Sequence, residues 1–405
     1  MALSLDSMFR PFNEFFLTKF GAGLGASVKF RFCRLPHTFV DSDFVVAEHP
    51  EWGPSKQLAQ EIFSNVIDQI PTLDPDGRNV SSGFGAGLIS ELYSDEILGP
   101  AIPFVPAAVT KDADKQAMVD AFNGIKTEAL SRWQKTKLAS LMQGQQGKEY
   151  RPSTPTPVMW WDKNAPGVWT PQTFHVEDAS PPPAQPGTGI LRMKVSDAQV
   201  NTVVQAHFQK YSPALAAETA HPTSGGAGRT MMMARSTMTG GPVAASPTAN
   251  VAFHTNVIYQ MSAMPVDQRR EMQLELAQYQ TTQAIVSSQV TISFDFCTVN
   301  CERDWLHNGL LNSTLWCIPG RGKGILSTNN GHGVPAMPVG FVAVKNLRIQ
   351  APWTPDDINN LELSVQFGPF NFDSKVVNGV ISHDGIQIVG WMLKDSSDLP
   401  PNAGA

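Results

Sequence analysis

Hydrophobic positions along this chain recur with two periods, and the change from one to the other divides it. Near the start, Phe9, Phe12, Phe16 and Phe20 fall at helical spacing, Phe15 and Leu17 widen the stripe, and the Gly-rich FGAGLGAS of residues 20–27 ends it. Such a face docks a first helix on the core or anchors it to a membrane or partner; packing is its commonest use. Residues 28–35 then alternate, with Val28, Phe30 and Phe32 opposite Lys29, Arg31 and Cys33, which predicts a half-buried strand. Over 55–70, Leu58, Ile62, Phe63, Val66, Ile67 and Ile70 form one apolar helix face that Pro71 stops. A long helix is predicted from Thr110 to Gly144, carrying Met118, Ala121, Phe122, Ile125, Ala129, Trp133, Leu138 and Leu141.

Composition then shifts. Residues 151–186 hold nine prolines, which predicts an extended surface connector with Trp160, Trp161 and Trp169 as its anchors or as interface aromatics. A helix capped by Ser196 follows, with Val200, Val203, Val204, Phe208 and Tyr211 on its face. From Thr219 to Val266 the only charged residues are Arg229 and Arg235. Its first part, 219–249, reads as a weakly structured Gly/Met-rich excursion. Residues 250–261 alternate, with Val251, Phe253, Val257 and Tyr259 on one face, and Pro265 opens a further helix.

The last third has the period of strands. Val290, Ile292, Phe294 and Phe296 share a face, as do Leu361, Leu363, Val365 and Phe367, while KVVNGVI and IQIVGWML read as central strands. His383-Asp384-Gly385 reads as a hairpin turn, and Thr354-Pro355-Asp356-Asp357 as the capped start of a short helix. No βαβ rhythm runs through the chain. The expected fold class is α+β, a helix-rich N-terminal half with a C-terminal antiparallel β-sheet. The expected regions are a mainly helical 1–150, a Pro-rich connector 151–194, and 195–405 with the low-charge excursion.

Composition narrows the function. Hydrophobic residues make up 42% of the 405 residues, enough to exclude wholesale disorder. The net charge of −6 lacks the basic excess that nucleic-acid binding requires, so no nucleic-acid partner is expected. Four cysteines are too few for a disulfide scaffold. Asp6, Arg10, Glu14 and Lys19 interrupt any apolar leader segment, and no apolar run is long enough to span a bilayer. The expected compartment is the cytoplasm, with export by a signal-less route as the alternative.

The chain lacks the G-x-S-x-G, H-E-x-x-H, Walker A and dinucleotide-binding fingerprints. Asp74 and Asp76 before Gly77 hint at a calcium loop, but its twelfth position is Gly85 where a Glu is needed. Cys297-x3-Cys301 does not have zinc-knuckle spacing and reads as buried thiols, and His175, Glu177 and Asp178 lack a second His nearby. No cofactor or metal is therefore expected, and no small-molecule substrate is identifiable. Residues 319–335 are the best candidate ligand or partner loop. Gly320, Gly322 and Gly324 alternate with Arg321 and Lys323 in a phosphate-friendly run, followed by Asn329, Asn330 and His332. Taken together, the sequence points to a non-enzymatic binding or self-assembling protein, a homo-oligomer. The alternatives are a membrane-active, toxin-like protein inserting 219–264, and an enzyme of unrecognised class.

Overall fold

A computed structural model describes residues 10–12, 14–16, 18, 28–73, 79–140, 149–177, 191–195, 282–283, 289–328 and 333–404, with single positions between 199 and 279. The chain divides into two compact units, residues 1–194 with 280–405, and 195–279. In the second unit Val203, Met272 and Leu276 are buried helical positions. The stretch 219–249 and the alternating Val251, Phe253, Val257 and Tyr259 lie outside the described residues, as do Asp74 and Asp76.

The first unit is built on a ten-stranded sheet. Its strands are β1 (Val28–Phe39), β2 (Gln69–Leu73), β3 (Asn79–Leu88), β4 (Thr154–Thr156), β5 (Thr170–Glu177), β6 (Gln289–Glu302), β7 (Ala336–Gln350), β8 (Asp373–Val377), β9 (Val380–His383) and β10 (Ile386–Asp395). The path runs β8-β9-β7-β10-β1-β3-β2. Strand β6 takes the other edge of β7 and carries β4 and β5 on its own far edge. Every pairing is antiparallel except β1 with β3.

The expected helix-rich N-terminal half is therefore not found: the fold is sheet-rich, with few and mostly short helices. Two long helices, α1 (Lys56–Ile67) and α2 (Asp112–Lys135), stand among the described residues. What periodicity left unassigned, the segment after α1 and the Gly-rich stretch 79–88, pairs as β2 and β3. Pro71 does not stop α1. The helix ends at Ile67 with Asp68 as its C-cap, and Ile70 and Pro71 belong to β2. Helix α2 stops at Lys135, short of Gly144, and buries only Phe122 and Ala129; Ala121 and Leu138 are exposed.

The alternating runs form the core as their pattern requires. Val28, Phe30 and Phe32 of β1 and Val290, Ile292, Phe294 and Phe296 of β6 are buried on one sheet face with Val342, Val344, Leu347 and Ile349 of β7. Phe12 and Phe16 of the N-terminal helical turns dock there. The Phe12 ring lies 4.2 Å from that of Phe174, and Phe16 lies 4.9 Å from Phe30. On the opposite face Phe341 packs 5.6 Å from its cross-strand partner Trp391 and 5.3 Å from Trp160. Phe63 of α1 closes that cluster at 5.8 Å from Phe341.

Three further expectations are corrected. Strands β9 and β10 both run antiparallel along the same edge of β7, pairing Val380–His383 with Gln350–Leu347 and then Gln387–Asp395 with Val344–Ala336. His383-Asp384-Gly385 is thus an irregularity in one long path, not a hairpin turn. Opposite it, Asn346 of β7 bulges at φ 53°. The hairpin is instead Asn378-Gly379, with φ 53° and 75°, joining β8 to β9, so KVVNGVI is a turn with its flanks and not a central strand. Leu361 is the buried end of α3 (Pro355–Glu362), Leu363 is 58% exposed, and only Ser364–Phe367 is strand. Helix α3 starts where expected: Asp357 N–H donates to Thr354 Oγ1, and the Asp357 carboxylate accepts from Thr354 N–H.

The Pro-rich segment contributes β4 and β5, with Pro155 and Pro171 on strands whose only partner among the described residues is β6. Proline is tolerated there because an edge strand does not need every N–H.

Gly390 of β10 exists because the Phe30 ring lies across it. A Cβ at that position would come within 2.2 Å of Phe30 Cζ. Gly390→Ala is expected to destabilise the fold by about 1–3 kcal/mol through overpacking, read by urea denaturation. Combining it with Phe30→Leu is expected to cost less than the sum of the two single changes, because the two sites share one contact.

Candidate functional site

The loop at 319–328 begins with a tight turn, Arg321 N–H donating to the Ile318 carbonyl, and Gly320 and Gly324 take φ of 69° and 72°. It is fastened to the C-terminal segment. Gly324 N–H donates to Pro400 O at 2.8 Å, Leu326 N–H to Leu399 O at 2.7 Å, and Gly404 N–H to Arg321 O at 2.9 Å. The two cations are paired as well. The Arg321 guanidinium lies 2.8 Å from Glu96 Oε2, and Lys323 Nζ lies 3.0 Å from Asp398 Oδ2. A phosphate would have to displace those carboxylates. Asn329, Asn330 and His332 lie outside the described residues.

Arg321, Ile325 and Leu326 wall a cavity of about 530 Å³ whose other side is Ile70, Gly87, Leu88, Glu91, Leu92, Asp95 and Glu96. The acidic wall is shaped by an unusual winding. Residues 92–98 form a π-helix, and just beyond it Gly99 N–H still reaches five residues back to Ser94 O, at 3.1 Å. In that winding the neighbour along the axis is four to five residues on, so Glu91, Asp95 and Glu96 share one face. Sequence reading missed all three. Their signal was the spacing ELYSDE, which puts carboxylates at i, i+4 and i+5.

The three tryptophans are fold anchors. Trp160 and Trp161 are buried against Phe44, and the Trp169 indole N–H donates to Asp162 O at 2.8 Å. The buried Lys345 ammonium sits 5.1 Å from the centre of the Trp169 ring and also donates to Lys163 O.

Two other polar clusters serve the fold in the same way. His307 caps a short helical turn, its Nδ1 accepting from Leu310 N–H at 3.0 Å, and its Nε2 lies 3.3 Å from Glu128 of α2. The lone pair a general base needs is therefore already engaged. Asp68 is buried and accepts from Ser90 N–H at 2.9 Å and Ser90 Oγ at 2.5 Å. Nearby, Arg303 donates to the carbonyls of Ile67 and Pro338, tying α1 to β7. All four cysteines are free thiols, and burial pushes Cys297 up to about 12, away from the reactive thiolate. No helix of the described residues is long and apolar enough to cross a membrane.

Compared with known proteins, the chain matches no protein-family model, no curated protein and no solved structure. Its function must be argued from its own geometry.

Asp68 gives that geometry a pH signature. Burial raises its carboxyl from 3.8 to about 6, against the lowering effect of the Ser90 hydrogen bond and Arg303. Between those values the folded chain holds a proton that the unfolded chain has lost, so this group's contribution to stability rises as pH falls. The stability difference between the parent and Asp68→Asn is expected to shift in favour of the parent from pH 7 to pH 4, measured by denaturant titration. A flat difference would show that the carboxylate stays charged across the window.

Proposed function

We propose that this chain is a non-catalytic structural or interaction protein that self-associates through the low-charge part of its second unit. The observation that carries this reading is the run Thr219–Val266, 48 residues whose only charges are Arg229 and Arg235. A segment so poor in charge has little electrostatic repulsion to keep copies apart, and unbranched methionines adapt to an opposing surface. The first unit supports the same reading. Three of its polar groups are engaged in tethers, Arg321 with Glu96, Lys323 with Asp398 and His307 with the Leu310 amide.

Membrane insertion of 219–264 is the competing use of the same composition, because Val251, Phe253, Val257 and Tyr259 alternate as a lipid-facing strand would. Arg229 and Arg235 count against it, since a lipid-facing Arg at the bilayer midplane costs about 2–4 kcal/mol.

Sedimentation equilibrium of the full chain tests the proposal. A discrete oligomer is expected, one that does not dissociate on dilution and that is lost when residues 225–245 are deleted with the circular dichroism unchanged. A monomer at every concentration overturns it. Dye release from liposomes by the intact chain, abolished by Val257→Asp, would establish insertion instead.

A further inference from the structure

We infer that the cavity between the π-helix and the loop at 319–328 is a binding site for an aliphatic diamine. This inference does not rest on self-association. Its volume of about 530 Å³ lies within the usual range for small-molecule sites. Five lining side chains are apolar, Ile70, Leu88, Leu92, Ile325 and Leu326. Gly87, at φ 126°, contributes no side chain to the wall. Such walls suit methylene groups.

The charge of the lining selects among apolar ligands. Three carboxylates, Glu91, Asp95 and Glu96, face one guanidinium, and Arg321 pairs with Glu96. Asp95 accepts a hydrogen bond from Ser94 Oγ, which leaves its charge uncompensated. Two negative charges beside an apolar surface complement two ammonium groups separated by a hydrocarbon chain. A metal ion fits less well. Among the described residues no group of three or more His, Cys, Asp or Glu side chains converges as a metal cage does. An anion, the ligand that the Gly/Arg/Lys spacing suggested, would meet net negative charge.

The acidic face also conflicts with its own helix. Like charges at neighbouring helical positions destabilise the winding. A π-helix is itself rare and recurs at functional sites. Its Leu92, Tyr93, Ile97 and Leu98 are buried in the core, so the polar face of this winding is the part left for a ligand.

Isothermal titration of the full-length chain at low ionic strength tests this, with octamethylenediamine as probe and octylamine and octanediol as controls. One diamine per chain is expected, with octylamine weaker and octanediol unbound. The double change Glu91→Gln with Asp95→Asn is expected to weaken the diamine by about tenfold, on the order of one ion pair on an apolar wall. Arg321→Ala is expected to act in the opposite sense, tightening the diamine because it releases the Glu96 carboxylate. All three positions are exposed, and thermal melts check that the variants fold. Octanediol binding as tightly as the diamine would reduce the cavity to an apolar pocket. No heat with any amine, or weaker diamine binding after Arg321→Ala, would overturn the inference.

Discussion

Strand β10 has no solvent face, and the architecture of the first unit follows from covering it. Residues 386–393 are all buried, and β7 and β1 take its two edges. A strand of that kind needs a packed layer above and below. One layer is the phenylalanine cluster that draws in Phe12 and Phe16 from the N-terminal turns and Phe174 from β5. The other is the Trp391, Phe341, Trp160 and Phe63 stack beneath α1. Where a ring must lie directly on the backbone the side chain is removed, as at Gly390. The register shift between Phe32 and His37 of β1 and the Asp384-Gly385 break lie beside this strand, where bulges bend and twist a sheet so that its layers can close.

How much of this the sequence showed depends on how local the determining interaction is. β1, β6, α1 and the start of α3 were legible because each carries its own pattern: alternation, a helical stripe, or Thr354 three residues before Asp357. Pro71 and the Gly-rich 79–88 look like breakers in isolation, yet they pair with each other as β2 and β3. Pro155 and Pro171 look the same, yet they sit on strands whose partner lies far away in sequence, as Thr170–Glu177 does on Gln289–Phe296. Leu363 and Leu361 alternate on paper, but the capping box at Thr354 commits Leu361 to a helix. Asn378-Gly379 was the one locally readable hairpin signal passed over. The candidate loop was legible as far as Arg321. The acidic wall opposite it was not, because no spacing in 319–335 tells of a π-helix more than two hundred residues earlier.

Several charges of the first unit join segments remote in sequence. Lys163 reaches Asp41 at 2.7 Å, Arg348 reaches Asp384 at 2.7 Å, and Lys29 and Arg31 both meet Asp395. Exposed pairs like these contribute little stability singly. What they set is position, since each links segments remote in sequence. Lys345 goes further. Its buried ammonium is stabilised by the Trp169 ring, the Asp295 carboxylate at 3.7 Å and the Lys163 carbonyl. One cation thereby helps fix a run of turns between Pro157 and Trp169 that has no ladder hydrogen bonds of its own.

Against that pattern the π-helix face differs in kind. Several charged groups of the unit meet an opposite charge or a carbonyl that belongs to another element, as Lys163, Arg303, Arg321 and Arg348 do. Across the cavity from Ile325 and Leu326, three carboxylates stand on one helical face and only Glu96 meets a cation. Folding alone does not require this. Gly87 takes φ 126°, a conformation that favours glycine, and leaves that part of the wall without a side chain. The wide turn, the uncompensated charge and the missing side chain fall within residues 87–98 and line one volume. Their convergence, rather than the basic loop alone, points to the cavity as the place where this unit meets another molecule.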